Sequence, residues 1–434
     1  MSNQNSVIFE IEKLGAIRNS SFELSPFMVF SGESGLGKSY TAFLVHYLYV
    51  LITGDRLNDF FKSKGYNYDE LITKRNDRGV ILSFGLNDLI RWIRNDALIY
   101  LRFILGNDKL DGSVNIKFSF LPDIIEYKCE EEAIGVGAEA EVYRRISLNG
   151  GPSLRLPSSN AWEIFPFKIL LEHLLRINLC SNISETFMMP PSRGALVGLT
   201  ARAQGLVSAT AGMYSEFLSD MDKLSMPAKE QNREFTSPEV INVLKNEINR
   251  GTIERIDGKI HYFIKYGTDI PLSAAVSSIK ELAPLSLLLN KYSIKNYSIL
   301  FEEPEVHLHP QLQVKVADLI AAIINEGAHF QITTHSDYFI RRINDLIILH
   351  HIKTKTNKNE FEQICKKFGY NGLCALNPKL VGAYFMKQNE DGTVAIIKQN
   401  HENGIPYDSF HSVIEQVVIN SMSLKEEYEQ LTSK

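Results

Sequence analysis

Apolar and polar positions alternate at the start of the chain and then change period. Val7-Ile-Phe-Glu-Ile-Glu12 and the shorter Ser21-Phe-Glu-Leu24 have strand composition, and Phe27-Met-Val-Phe30 is a continuous apolar run of the kind a strand buried on both faces shows. That run leads straight into the glycine-rich Ser31-Gly-Glu-Ser-Gly-Leu-Gly-Lys-Ser39. A mostly apolar stretch of 13 residues, Tyr40 to Ile52, follows. A bilayer span needs ~20 apolar residues, so this stretch predicts a buried core helix.

Helical patterns then occupy 56–110, as in Leu86–Ile93, and Ser113–Phe120 alternates like a strand. Gly135–Pro157, richer in Gly, Ser and Pro, predicts a loop between two lobes. Helices dominate from Trp162 to about Asn249; the apolar stripe Phe167–Leu175 reads as core or a subunit interface. Strand character returns at Ile260–Lys265, followed by a Ser-rich loop at 273–278 and a helix to about Leu289. The strand Tyr297–Phe301, a helix over about Gln311–Glu326 and the strand Phe330–Thr334 come next. The tail after 350 predicts a basic loop, a strand pair around Gly382–Lys398 and a final helix. Such β/α alternation predicts an α/β fold, a mixed or parallel sheet covered by helices. The expected division is a core built from residues 1–158 and 256–434, with a mainly helical insertion at 159–255.

Composition narrows the classes. With 44% hydrophobic and 22% charged residues, the 434-residue chain is neither a disordered tail, a collagen-like fibre nor a disulfide scaffold. Its net charge of -5 leaves nucleic-acid contact to a local patch. The candidate is Lys353-Thr-Lys355-Thr-Asn-Lys358 with Arg341 and Arg342, although short charge runs are usually solvated faces. Four cysteines without a C-x-x-C pair read as reduced and structural. The polar start, Met1 to Ser6, lacks the order of a secretory signal, and the expectation is a cytoplasmic protein with no membrane partner.

Gly32-Glu-Ser-Gly-Leu-Gly-Lys-Ser39 fits G-x-x-x-x-G-K-[ST] between a strand and a helix. Glycines let the backbone turn successive N–H groups onto one anion, and the following helix adds the positive end of its dipole. The expected ligands are ATP and Mg²⁺. Gly32, Ser34, Gly35, Gly37, Lys38, Ser39 and Tyr40 would surround the nucleotide, with Lys38 on the β- and γ-phosphates and Ser39 on the metal. Glu302 and Glu303 end a hydrophobic strand. Such a strand end places the first acid to hold Mg²⁺ and the second to polarise the attacking water. His335 ends the next strand, in Thr333-Thr-His-Ser336.

The phosphate loop, the string Glu302-Glu-Pro-Glu-Val-His307-Leu-His309-Pro310 and Thr-Thr-His335-Ser together resemble the ABC-type ATPase domain of the RecF, SMC and OLD branch. The resemblance covers 1–55 and 260–345 and extends to Gly404–Phe410. It implies an ABC/RecF-like P-loop ATPase core, with Glu302 as the Mg²⁺-site acid, Glu303 as the catalytic glutamate and His335 as the switch histidine sensing the γ-phosphate. His309 would lie near a turn facing a second subunit. In this branch two subunits complete each other's sites through a signature loop. The candidate here is Ser277-Ser278 at a helix start, where Ile279 replaces an expected glycine; the alternative is a capping box of Ser278 with Glu281.

ABC domains also carry a glutamine after the phosphate-loop helix, and only Gln204 and Gln231 lie between Ser39 and the Glu-Glu strand. Slow hydrolysis, or ATP used to hold an assembly, follows from that absence. Met189-Pro-Pro-Ser-Arg193-Gly resembles a segment of phage-defence members, and Arg193 reads either as a phosphate or partner contact or as an exposed loop arginine. No sustained heptads support an SMC coiled coil, and residues 346–434 contain no Asp-x-Asp of an OLD nuclease. The resemblance is therefore to stand-alone ATPase subunits of phage-defence operons such as the PARIS and Septu systems. It implies a homo-oligomer that carries or controls a separately encoded nuclease or toxin effector, with a phage protein as trigger. A RecF-like DNA-repair ATPase acting on DNA is the alternative.

Overall fold

The computed structural model describes residues 5–65, 80–134, 141–157 (without 152), 175, 183–198, 205–206, 210–224 and 236–432 (without 266, 268, 403 and 407). Nine strands form its main sheet: β1 Val7–Leu14, β2 Ile17–Glu23, β3 Phe27–Gly32, β4 Gly112–Phe118, β5 Glu185–Met189, β6 Tyr297–Glu302, β7 His329–Thr334, β8 Val381–Gln388 and β9 Val394–Lys398. Their spatial order is β4-β1-β2-β9-β8-β3-β7-β6-β5. The five strands from β8 to β5 are mutually parallel, while β1 runs antiparallel to both β2 and β4, and β8 antiparallel to β9.

The three central parallel strands β3, β6 and β7 are buried at every position, and in β3 and β6 this shows as an apolar run, Phe27–Phe30 and Ile299–Phe301. In β3, Phe27 and Val29 enter one core and Met28 and Phe30 the other. The second core holds α1 (Lys38–Thr53) and α2 (Leu86–Leu105). The first holds α3 (Arg193–Val197), α4 (Gly212–Lys223), α5 (Ser277–Lys291), α6 (Pro310–Asn325) and α7 (Asp337–Lys355). The 13-residue apolar stretch is, as expected, the buried body of α1. The last helix, α8 (Asp408–Thr432), is exposed at every position from Glu415 onward.

The expectation of an α/β fold, a mixed sheet covered by helices, holds, with local corrections. Of the expected loop at 135–157, residues 135–140 and 152 lie outside the described residues, while Glu141–Leu148 and Ser153–Pro157 are strands of an antiparallel four-stranded sheet with Val80–Gly85 and Ile124–Ile134. Cross-strand pairing of Glu130 with Arg145 makes these polar sequences good partners, and the Asn149-Gly-Gly151 turn supplied the loop-like composition. Within 159–255 the chain also contributes β5 to the main sheet. The apolar stripe 167–175, apart from Leu175, lies outside the described residues, as do Gln204 and Gln231. The basic run at 353–358 is the C-terminal turn of α7 and the start of the helix Lys358–Phe368 rather than a loop. Cys365 and Cys374 are free thiols and buried. No helix among the described residues is long and apolar enough to cross a membrane.

Candidate functional site

Register in the parallel sheet brings three strand ends level. Thr334 of β7 pairs with Ser31 of β3, and Glu302 of β6 pairs with Thr333. The phosphate loop, Glu303 and His335 therefore leave the carboxyl edge side by side, where ligands of parallel α/β sheets sit. They line a cleft of about 320 Å³ with Gly15, Ser34, Gly35, Gly37, Ser39 and Tyr40.

The phosphate loop has the backbone its glycines permit: φ is 131° at Gly32, 79° at Gly35 and 91° at Gly37. Gly32 is also fixed by crowding, because a Cβ there would stand 2.7 Å from the Met386 carbonyl of β8. Gly37 hands the chain to α1, whose first residues are Lys38 and Ser39. The Lys38 ammonium is folded back into the loop, donating to the carbonyls of Gly32 (3.0 Å) and Glu33 (2.7 Å). Burial pushes its pKa down to about 8, against the pull of Glu303, Glu305 and Glu302.

Glu302 is 2% exposed, and burial pushes its carboxyl up to about 7 despite a hydrogen bond with Ser39. Its Oε1 has no partner among the described residues. A hydroxyl beside an orphaned, buried carboxylate oxygen at a phosphate loop is the donor set Mg²⁺ takes, so Ser39 and Glu302 fit the metal. Glu303 has φ of 44°, a left-handed conformation that costs a non-glycine residue about 1–3 kcal/mol. Its N–H donates to the Thr333 carbonyl at 3.0 Å, and its carboxylate lies 3.8 Å from Nε2 of His335. Burial and then Lys38 hold His335 below the usual imidazole range, while Glu303 opposes them.

Glu305, which sequence reasoning assigned no role, fastens this corner. One carboxylate oxygen accepts from the Thr334 hydroxyl (2.9 Å) and from the His335 N–H (2.6 Å). Its two-residue spacing from Glu303 was the available signal. His309 caps α6 by accepting from the Gln311 N–H and is exposed.

Ser277 and Ser278 do not line the cleft; they begin α5. The capping box expected as the alternative does not form. α5 has no side-chain cap, and Glu281 is turned inward, 3% exposed, with its carboxylate 3.5 Å from Nε of Arg193. Neither reading of Arg193 holds, since its side chain is fully buried. It donates to the carbonyls of Glu281 (3.0 Å), Pro190 (3.2 Å) and Glu302 (2.8 Å). The guanidinium lies 4.4 Å from the Phe301 ring centre. The loop carrying it leaves β5 directly beside the end of β6 and contains no glutamine. Of the basic candidates, Arg342 is committed to Asp318 through two hydrogen bonds (2.6 and 2.9 Å) and Arg341 to Asp337 (2.7 Å).

Residues 206–340 match the AAA ATPase domain family AAA_15. No curated protein matches the chain. Similar solved structures include the SMC head bound to the C-winged helix domain of ScpA, 12% identical, covering 92% of this chain and 98% of that one with TM-score 0.38. Another is the SMC head domain from Thermotoga maritima (12% identical, 92% and 99% covered, TM-score 0.34). A third is the Smc head with an extended coiled coil bound to the C-terminal domain of ScpA, derived from Pyrococcus furiosus (11%, 94% and 98%, TM-score 0.37).

Proposed function

We propose that this chain is an ATP-binding and ATP-hydrolysing subunit of a bacterial antiphage defence system. In this reading it works as a homo-oligomer, with Ser277 and Ser278 of one copy closing on the nucleotide held by another. Its nucleotide state controls a separately encoded nuclease or toxin effector, and a phage protein is the trigger. The observation that carries the ATPase part is that Lys38, Ser39, Glu303 and His335 line one cleft at adjoining strand ends, with the buried Glu302 hydrogen-bonded to Ser39.

The residues divide the work by position. The loop N–H groups and Lys38, released from its two carbonyls, take the β- and γ-phosphates. Mg²⁺, held by Ser39 and Glu302, would neutralise charge between those phosphates. Glu303, half-exposed and aimed across the cleft, orients a water in line with the γ-phosphorus and accepts its proton. His335, kept neutral, donates to a γ-oxygen through Nε2.

Lys38→Ala is expected to lose ATP binding in a fluorescent-nucleotide titration. Glu303→Gln is expected to keep binding within about threefold while turnover falls by ~100-fold or more. Equal ATPase rates in wild type and Glu303→Gln would remove the catalytic assignment. For the cellular role, Glu303→Gln protein is purified from cells carrying its native neighbouring genes. A stoichiometric nuclease-like partner supports the defence reading. DNA-stimulated turnover with a steep salt dependence would replace it with DNA repair.

A further inference from the structure

Arg193 touches no part of the cleft surface, yet it holds the strand end that carries Glu302 and Glu303. Its three hydrogen-bonded main-chain partners within 3.2 Å come from the loop after β5, the end of β6 and the first turn of α5. A fourth N–H reaches the Glu303 carbonyl at 3.4 Å. A planar guanidinium offers its donors in a fixed fork, so these segments cannot move relative to one another without breaking bonds in a dry site. The packing beside it is close. A Cβ on Gly194 would stand 2.8 Å from the Glu281 carboxylate.

Two further features give the fork a purpose. Glu303 is held in its left-handed conformation at both ends, by the Thr333 carbonyl on its N–H and by Arg193 on its carbonyl. The N-terminus of α5 has no side-chain cap, because its N-cap residue is Val276, and Glu281 faces Arg193. The first turn of α5 is thus free at its outer end and tied at its inner end to the residue aimed at the water.

We propose that Arg193 is a positioning residue that transmits the seating of α5 on a second copy's nucleotide to the backbone of Glu303. The inference rests on the reading that α5 completes a neighbouring site and that Glu303 acts on water. Arg193→Lys keeps the charge and loses the fork. In the full chain it is expected to bind ATP, and to show a KM, within about threefold of wild type while kcat falls ~100-fold, the effect of misplacing a reacting group by about 1 Å. Hydrogen exchange supplies a second readout. In wild type, ATP with Mg²⁺ slows exchange both at 277–281 and at 302–306; in Arg193→Lys only 277–281 responds.

A kcat within threefold of wild type, or protection of both segments in Arg193→Lys, overturns the proposal. Glu281→Gln keeps the main-chain bonds and is expected to retain kcat within about threefold. A loss as large as the lysine variant's would assign the effect to the ion pair and also overturn it. Should wild type show no turnover above Glu303→Gln, the hydrolysis reading falls and the exchange pattern alone decides the coupling. Wild type without protection at 277–281 overturns the docking reading and the relay together.

Discussion

His329 opens β7 at the sheet edge opposite the cleft, 8% exposed, with Nδ1 2.6 Å from the Tyr49 hydroxyl of α1. Burial disfavours the charged imidazolium and pushes the pKa from 6.5 to about 4. Between these values the unfolded chain binds a proton that the native chain refuses, so stability falls as pH drops through that window and is intact above it. The displacement corresponds to on the order of 3 kcal/mol. Urea unfolding at pH 7.5 and pH 5 is expected to show a larger acid loss for wild type than for His329→Gln, by about 2 kcal/mol. Equal losses would show that His329 is not what acid attacks.

At the scale of elements, the edge strand β5 shows why part of the site escaped the sequence. Its outer edge is sealed by Asp220 of α4, whose carboxylate accepts the Met188 N–H at 3.0 Å. Asp220→Ala leaves that N–H unpaired at an edge and is expected to cost about 1–3 kcal/mol by chemical denaturation. An unchanged midpoint would mean the edge has another seal. β3 and β6 were legible from their apolar runs, and Glu302, Glu303 and His335 because each ends or directly follows a strand, while Lys38 and Ser39 were legible from the glycine spacing between β3 and α1. β5 is five residues inside a span of helical composition, and nothing local marks it. The Arg193–Glu281 contact joins positions 88 apart, so neither the buried fork nor the missing capping box could be read from spacing. The strands at 141–157 were lost because glycines of one turn outweighed the alternation on either side.

Over the whole molecule, the order of the sheet cannot be followed along the chain, because the tail re-enters its middle. β8 and β9 sit between β3 and β2, and β8 supports the phosphate loop directly through the Met386 carbonyl against Gly32. The Tyr384 hydroxyl accepts from the Glu23 N–H at 2.9 Å, and its ring packs on Phe22 and Phe30. α8 is the opposite case: Leu424 is 74% exposed, Tyr428 66% and Leu431 65%, and no described side chain from Glu415 to Thr432 is buried. Burying apolar area is what stabilises a fold, at roughly 25 cal/mol per Å², so a segment that buries none within its own chain adds little to it. Two truncations separate these roles. A chain ending at Ile414 is expected to unfold cooperatively at the wild-type temperature and to bind ATP as wild type does. A chain ending at Leu380 loses the strand beside β3, exposes two new edges in mid-sheet and is expected to lose its cooperative transition. Calorimetry reads both. A cooperative wild-type midpoint in the chain ending at Leu380 would show that β3 and its phosphate loop stand without the tail, and the sheet order would then not be what holds Gly32 in place.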